Sequence, residues 1–215
     1  MADIVINIMD VAQPYAALCP TLASGVLAVL AGTNRPLTGR EVARLVGRHS
    51  HSGVREVLNR LTEHGLVERQ EAGRALLYTL NRDHLAAPAV DVLAGMRMEL
   101  LNRLRQSIAG WDVPPVHVSL FGSAARGEGN TESDIDLFIV RPSDISEDDN
   151  HWCSQIDRLA ADVLRWTGNH AGIAEVAEPE IDRLERDQPP ILAELRSDAI
   201  TLSGPEVVEL LDARR

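Results

Sequence analysis

Residues 118–140 read VSLFGSAARGEGNTESDIDLFIV, and the fold of the second half of the chain turns on them. Two apolar, β-branched and aromatic runs flank a polar, glycine-containing loop, which predicts strand, turn, strand. The second run carries Asp134 and Asp136. Residues two apart on a strand project to the same face, so the two carboxylates stand side by side. Anions that close repel and raise one pKa unless a cation lies between them. Ile135, Leu137 and Ile139 occupy the other face, as expected of an internal strand. A divalent ion accounts for the pair, because Mg²⁺ prefers oxygen ligands and keeps places for phosphate oxygens. Upstream, Gly122 lets a ligand approach the backbone, and Ser123 offers a hydroxyl and an N–H at a helix start, where anions are favoured. A phosphate cradle and a carboxylate pair within one strand–turn–strand unit describe a site for a nucleoside triphosphate with Mg²⁺. The competing reading has the carboxylates capping backbone N–H groups or bonded to Arg126. It leaves the Gly-Ser turn unexplained.

Outward from this unit, WDVPPV (111–116) breaks the preceding helix. Strands are expected at 116–121, 134–140 and 171–177, with a long helix over 146–168 closed by Gly168. A helix follows Pro179, then a helical ILAELRSDA, a short ITLSGP and a last helix in PEVVELLDA. Strands alternating with helices imply an α/β or α+β domain over a small mixed sheet.

The run GSAARGEGNTESDID (122–136) resembles the signature of the DNA polymerase β-like nucleotidyltransferase superfamily, Gly-Ser followed by Asp-x-Asp. It is especially similar to the minimal nucleotidyltransferases, which often read GSxARGxxxxxSDIDL. The resemblance implies a mixed sheet flanked by helices and transfer of a nucleotidyl group from an NTP, with release of pyrophosphate. It further implies that Gly122 and Ser123 hold the triphosphate, that Asp134 and Asp136 bind Mg²⁺ (or Mn²⁺), and that Arg126 orients the loop or neutralises phosphate. The family adds a third carboxylate from a later strand, and the best match is Glu175 in AGIAEVAEPEI, with Glu178 and Glu180 nearby. Glu175 is thereby expected as a third metal ligand and general base. The family more often has Asp at that place, and a plain solvent-facing strand residue is the alternative.

The first half reads differently. Charge is +2 over residues 1–110 and −13 over 111–215, within a net −11, an asymmetry that suggests modules with different partners. Apolar residues recur at helical spacing in 20–32, 37–47 and 52–65; Thr38 and Glu41 fit a capping box. Two strand-like runs in 66–80 surround Glu71-Ala72-Gly73, a hairpin with a glycine turn. Three helices and a hairpin are the winged helix-turn-helix plan. With VREVLNRLTEHGLVER (54–69), residues 20–85 resemble the winged-helix domains of bacterial transcription regulators. If the third helix enters a major groove, Ser50, His51, Ser52 and Arg55 face bases or phosphates, and Arg69 and Arg74 reach phosphates from the wing. Double-stranded DNA is the expected partner; a solvated arginine surface that binds protein is the alternative.

Residues 84–110 are expected as one long helix joining the modules and able to pair with a second copy. The expected domains are 1–83 (winged helix-turn-helix), 84–110 (linker helix) and 111–215 (nucleotidyltransferase), an α+β chain in all. No apolar run is long enough for a membrane span. The start lacks the basic region of a secretory signal, and two cysteines make no disulfide framework, so a cytoplasmic protein is expected. The leading functional expectation is a nucleotidyltransferase tethered to a DNA-binding module, acting on a protein, RNA or small-molecule hydroxyl. The alternative is a transcription regulator whose second module only senses nucleotide or holds a partner. The family resemblance alone adds a third possibility, a toxin–antitoxin role.

Overall fold

The computed structural model describes residues 21–47, 50–126 and 133–212. The start of the expected first domain and most of the loop between Arg126 and Asp134 lie outside the described residues. The described chain forms two compact units, residues 21–97 and 98–212.

In the first unit, α1 (Leu22–Ala31), α2 (Gly39–Val46) and α3 (His51–Glu63) enclose one core with a three-stranded antiparallel sheet. The sheet runs β1 (Leu37–Thr38), β3 (Ala75–Leu80), β2 (Val67–Ala72) in spatial order. Val26, Leu30, Val42, Val54, Leu58 and Tyr78 fill the core. The α2 helix begins later than its apolar pattern predicts, because an N-cap takes extended dihedrals. Thr38 does so, and with Leu37 it adds a short strand that pairs with Leu77 and Tyr78. Its hydroxyl accepts from the Glu41 N–H while the Glu41 carboxylate accepts from the Thr38 N–H, the reciprocal box expected from the sequence. These bonds and the neighbouring Arg35 hold the Glu41 carboxyl down at about 2.

The hairpin turns at Gly73-Arg74, with Ala72 and Ala75 as the last pair. Gly73 has φ +62° and Arg74 does not, the signature of a type II′ turn whose twist matches paired strands. Beyond Val67, β2 is exposed on both faces, so the hairpin stands out as a wing.

The expected single helix over 84–110 is two. The first, α4 (Ala87–Ala94), stops at Gly95, and α5 (Met96–Ala109) follows. Separate cores claim the halves: Val90 packs in the first unit, whereas Leu100, Leu101, Leu104 and Ile108 enter the core of the second. Glycine, a poor helix former, sits at the break.

The second unit is a four-stranded mixed sheet in the order β6 (Ala171–Ala177), β5 (Ile135–Arg141), β4 (His117–Phe121), β7 (Ile200–Ser203). Only β5 and β6 are parallel; the long helix α7 (Asn150–Thr167) makes their crossover. Asp149 caps α7 through the His151 and Trp152 N–H groups. ITLSGP supplies β7, which pairs antiparallel with β4. The rest are α6 (Gly122–Arg126), a 3-10 turn at Glu178–Glu180, α8 (Ile181–Asp187), α9 (Pro190–Asp198) and α10 (Val207–Asp212).

Both faces of the sheet are covered, and β5 alternates between them. Ile135, Leu137 and Ile139 pack with α5 and with Trp152, Leu159 and Val163 of α7. Phe138 and Val140 pack with Phe121 and with α8, α9 and α10. Among the described residues no helix is long and apolar enough to cross a membrane.

Replacing Thr38 by Ala removes the hydroxyl half of the capping box. The expected outcome is a thermal midpoint for the first unit lowered by about 4–8 °C, the scale of one lost N-cap in a domain of this size. The pH dependence checks the assignment. A depressed carboxyl stabilises the fold above the ordinary value of 4.5, and that contribution fades as pH falls from there toward about 2. In Glu41→Gln the acid slope over that window should be flatter.

Candidate nucleotide site and the helix-turn-helix face

The turn from β4 into α6 begins at Gly122, whose φ of +69° is comfortable only for glycine. A second reason for glycine lies beside it. A methyl group on Gly122 would stand 2.6 Å from Asp136 Oδ2, far inside contact distance. Across the sheet, Asp136 is in register with Gly172 on β6, where a methyl group would stand 2.6 Å from Asp136 Oδ1 and 3.7 Å from Asp134 Cβ. The Asp136 carboxylate is thus wedged between two bare backbones, with Asp134 beside it.

Asn169 sets the approach to the pair. Its side-chain N–H donates to the Ser133 carbonyl at 2.8 Å, and Ile135 N–H bonds the His170 carbonyl at 2.9 Å. Asn169 is almost fully buried, and nothing in its sequence context marked it for this part. Asp134 is exposed and Asp136 half-buried. Burial, then the charges of Asp134 and Glu194, push the Asp136 carboxyl above the usual carboxylate range, with Arg126 opposing.

Ser123 is half-buried in the first turn of α6. Arg126, at the end of α6, donates to the Asp198 carboxylate of α9 at 3.0 Å. The Ser197 hydroxyl and Arg126 together hold the Asp198 carboxyl below its ordinary value. Two acids of α9, Glu194 and Asp198, therefore bear on the site. The sequence pattern alone showed only a helix there.

The expected third carboxylate lies elsewhere. Glu175 is in register with Ile139, and so on the face of the sheet opposite Asp136. Its Oε1 accepts from Arg141 Nε at 2.7 Å and from Trp152 Nε1 at 2.9 Å. Arg141 is nearly buried, and Glu175 neutralises it while tying β5, β6 and α7 together. A period of two decides the matter, since an odd offset from Gly172 turns a side chain to the other face. The β6 residues on the Asp136 face are Gly172, Ala174 and Val176. Of the other candidates, Glu180 accepts from the Ala177 N–H at 2.7 Å and closes the turn after β6. Among the described residues, no three His, Cys, Asp or Glu side chains converge as a metal cage. Two carboxylates side by side would suit an ion that completes its shell with phosphate oxygens and water.

On the helix-turn-helix unit, His51, Arg55 and Arg74 line one groove of about 690 Å³ between α2, α3 and the wing, joined by Arg40 and Tyr78. Sequence reasoning passed over Arg40, which precedes the capping Glu41 and turns toward the same groove. Ser50 is the N-cap of α3, accepting from Gly53 N–H at 3.2 Å and lying 3.1 Å from the Ser52 hydroxyl. Arg69 is exposed on β2, in register with Tyr78 and outside the groove lining.

Residues 98–186 match the family described as nucleotidyltransferase domain, and residues 23–71 match the IclR helix-turn-helix domain. The chain joins a helix-turn-helix domain to a nucleotidyltransferase domain. The matched spans carry α2 and α3 on one side and Gly122, Asp134 and Asp136 on the other. No curated protein and no solved structure matches the chain.

Glu175→Gln should lower stability, because it leaves a nearly buried Arg141 without its counter-charge; such losses are about 3 kcal/mol. Denaturant unfolding measures this. Binding of Mg²⁺ with NTP should be unchanged, as the side chain lies across the sheet from Asp136.

Proposed function

We propose that the chain is a Mg²⁺-dependent nucleotidyltransferase, moving a nucleotidyl group from an NTP to an acceptor hydroxyl, on a module that holds double-stranded DNA. The observation that carries the reading is the gathering of Asp134 and Asp136 at Gly172, beside the Gly122-Ser123 turn. Asp134 and Asp136 would hold Mg²⁺ (or Mn²⁺), which neutralises the triphosphate and the departing pyrophosphate. Gly122 lets phosphate approach the backbone, and Ser123 supplies a hydroxyl. Arg126 offers a fixed positive charge at the same corner.

A second reading has one observation in its favour. Strand β6 puts no carboxylate on the Asp136 face, so the domain would bind nucleotide and alter DNA affinity without forming a covalent product.

Transfer of label from α-³²P NTPs to cell protein or RNA separates the two. Label should move with the native chain and fall at least a hundredfold in Asp136→Asn. Nucleotide binding without transfer by the native chain would select the regulator. Stability supplies an independent check on Asp136. A raised pKa means that the folded chain holds this proton more tightly than the unfolded one. Its charged form therefore weakens the fold, increasingly as pH rises through the carboxylate range. Without divalent ion, Asp136→Asn should melt higher, by no more than about 2–4 °C given solvent screening. Mg²⁺ with NTP should raise the midpoint of the native chain and not of the variant.

For the other module, Arg55→Ala and Arg74→Ala should each weaken binding to double-stranded DNA. If each contacts a phosphate, the slope of log affinity against log salt falls by about one per arginine. Fluorescence anisotropy at several salt concentrations reads it.

A further inference from the structure

A loose arginine side chain samples many rotamers, and a phosphate contact must first meet the entropy of fixing one. Arg126 is already held. The helix that carries it, α6, has a covered side and an open side: Gly122, Ala124 and Ala125 are buried, whereas Ser123 is half-buried and Arg126 exposed. Residues three apart share a helix face, so Arg126 stands on the face of Ser123. It is one turn on from the Gly122 backbone that lies against Asp136. From there its Nη1 donates to Asp198 Oδ2 at 3.0 Å. The other oxygen of that carboxylate, Oδ1, accepts from the Ser197 hydroxyl at 2.6 Å. Both oxygens of Asp198 are engaged, which fixes the plane of the carboxylate as well as its place.

The frame behind this ion pair is a paired set of strands. Leu120 of β4 is in register with Ile200 of β7. Helix α6 leaves the end of β4, and α9 ends at Asp198, just before β7 begins. Both partners therefore hang from the same two strands. Helix α9 also has its own anchorage. Leu192 and Leu195 are buried in the core beneath it, and Arg196 donates to Glu185 of α8 at 2.8 Å and to Asp212 of α10 at 3.3 Å. It does not need a partly exposed ion pair to stay in place, and such pairs add little to stability. What the pair fixes is the arginine.

We propose that Asp198 is a positioning residue of the nucleotide site: with Ser197 it holds the Arg126 guanidinium in place for a phosphate of the bound NTP. The inference rests on the nucleotide-site reading above and adds to it a residue from far along the chain. A guanidinium is a planar fork whose separate edges can meet a carboxylate and a phosphate together. The carboxylate sets the direction of that fork before the nucleotide arrives, so the side chain loses less freedom on binding. Asp198 acts only through Arg126, and no bond is made or broken at it.

Calorimetry on the full chain tests it, with Mg²⁺ and the tightest-binding of the α,β-methylene analogues of ATP, CTP, GTP and UTP. Arg126→Ala should weaken binding about tenfold or more, as for a lost hydrogen bond to a charged group. Asp198→Ala should weaken it about three- to tenfold, the scale of immobilising one rotamer-rich side chain. Asp198→Asn keeps an oxygen for the Arg126 Nη1 and should bind within about twofold of the native chain. In an Arg126→Ala background Asp198→Ala should cost nothing further, whereas a merely structural role would weaken both backgrounds alike. Unchanged affinity in Arg126→Ala or in Asp198→Ala, an equal loss in the two backgrounds, or no recovery in Asp198→Asn each overturns the role of Asp198 and leaves the nucleotide site standing. A native chain that binds none of the four analogues overturns the nucleotide-site reading, and this inference with it.

Discussion

The Asp136 carboxylate sits where only two glycines allow it. One oxygen lies against Gly122 and the other against Gly172, each so close that a single methyl group would collide. The contact joins three pieces of backbone: the β4–α6 corner, the middle strand β5 and the start of β6. It leaves a charged group half-buried with a second carboxylate beside it, which no strand adopts for its own stability. Much of the nearby architecture positions or counters that charge. Asn169 anchors Ser133, and Arg126 offers the opposing sign from the end of α6.

The same contact explains why β6 cannot carry a third acid at the register of Asp136. Space there is already occupied by Asp136 itself. The next residues on that face, Ala174 and Val176, are apolar and belong to the core under α8, α9 and α10. Glu175 instead satisfies a nearly buried arginine and an indole N–H on the far face, an arrangement in which charge and hydrogen bonds are both met. Acidic character near the site comes from α9, brought over the sheet by apolar packing rather than by strand pairing.

The two units are built on separate cores, and the chain between them divides accordingly. Helix α4 serves the winged unit and α5 serves the sheet, with Gly95 at the break. Charge follows the same division. Arg40, Arg55 and Arg74 of the winged unit gather at one groove, whereas the acidic excess lies in the second half. An acidic module attached to a basic one suits a protein whose contact with nucleic acid is confined to a single face.

The elements themselves were legible in the residues. Alternation marked β4, β5 and β6, the capping box marked α2, and a glycine turn marked the wing, because these are local patterns with local causes. Gly122, Asp134 and Asp136 were legible as a group for the same reason, since one loop separates them. What the residues did not disclose depended on register and on packing at long range. Strand pairing put Gly172 opposite Asp136 and turned Glu175 away, and one residue of slip would have reversed that outcome. Helix α9, distant in the chain, was carried to the site by Leu192 and Leu195, and nothing in ILAELRSDA says which face meets which neighbour. The long helix over 84–110 failed for a related reason, because its apolar pattern is continuous while the two cores that use it are not. Sequence by itself determined the elements, the two modules and the aspartate pair, because each is written in neighbouring residues. Only the tertiary structure decided which acids share the site, because strand register and core packing choose the face a side chain takes.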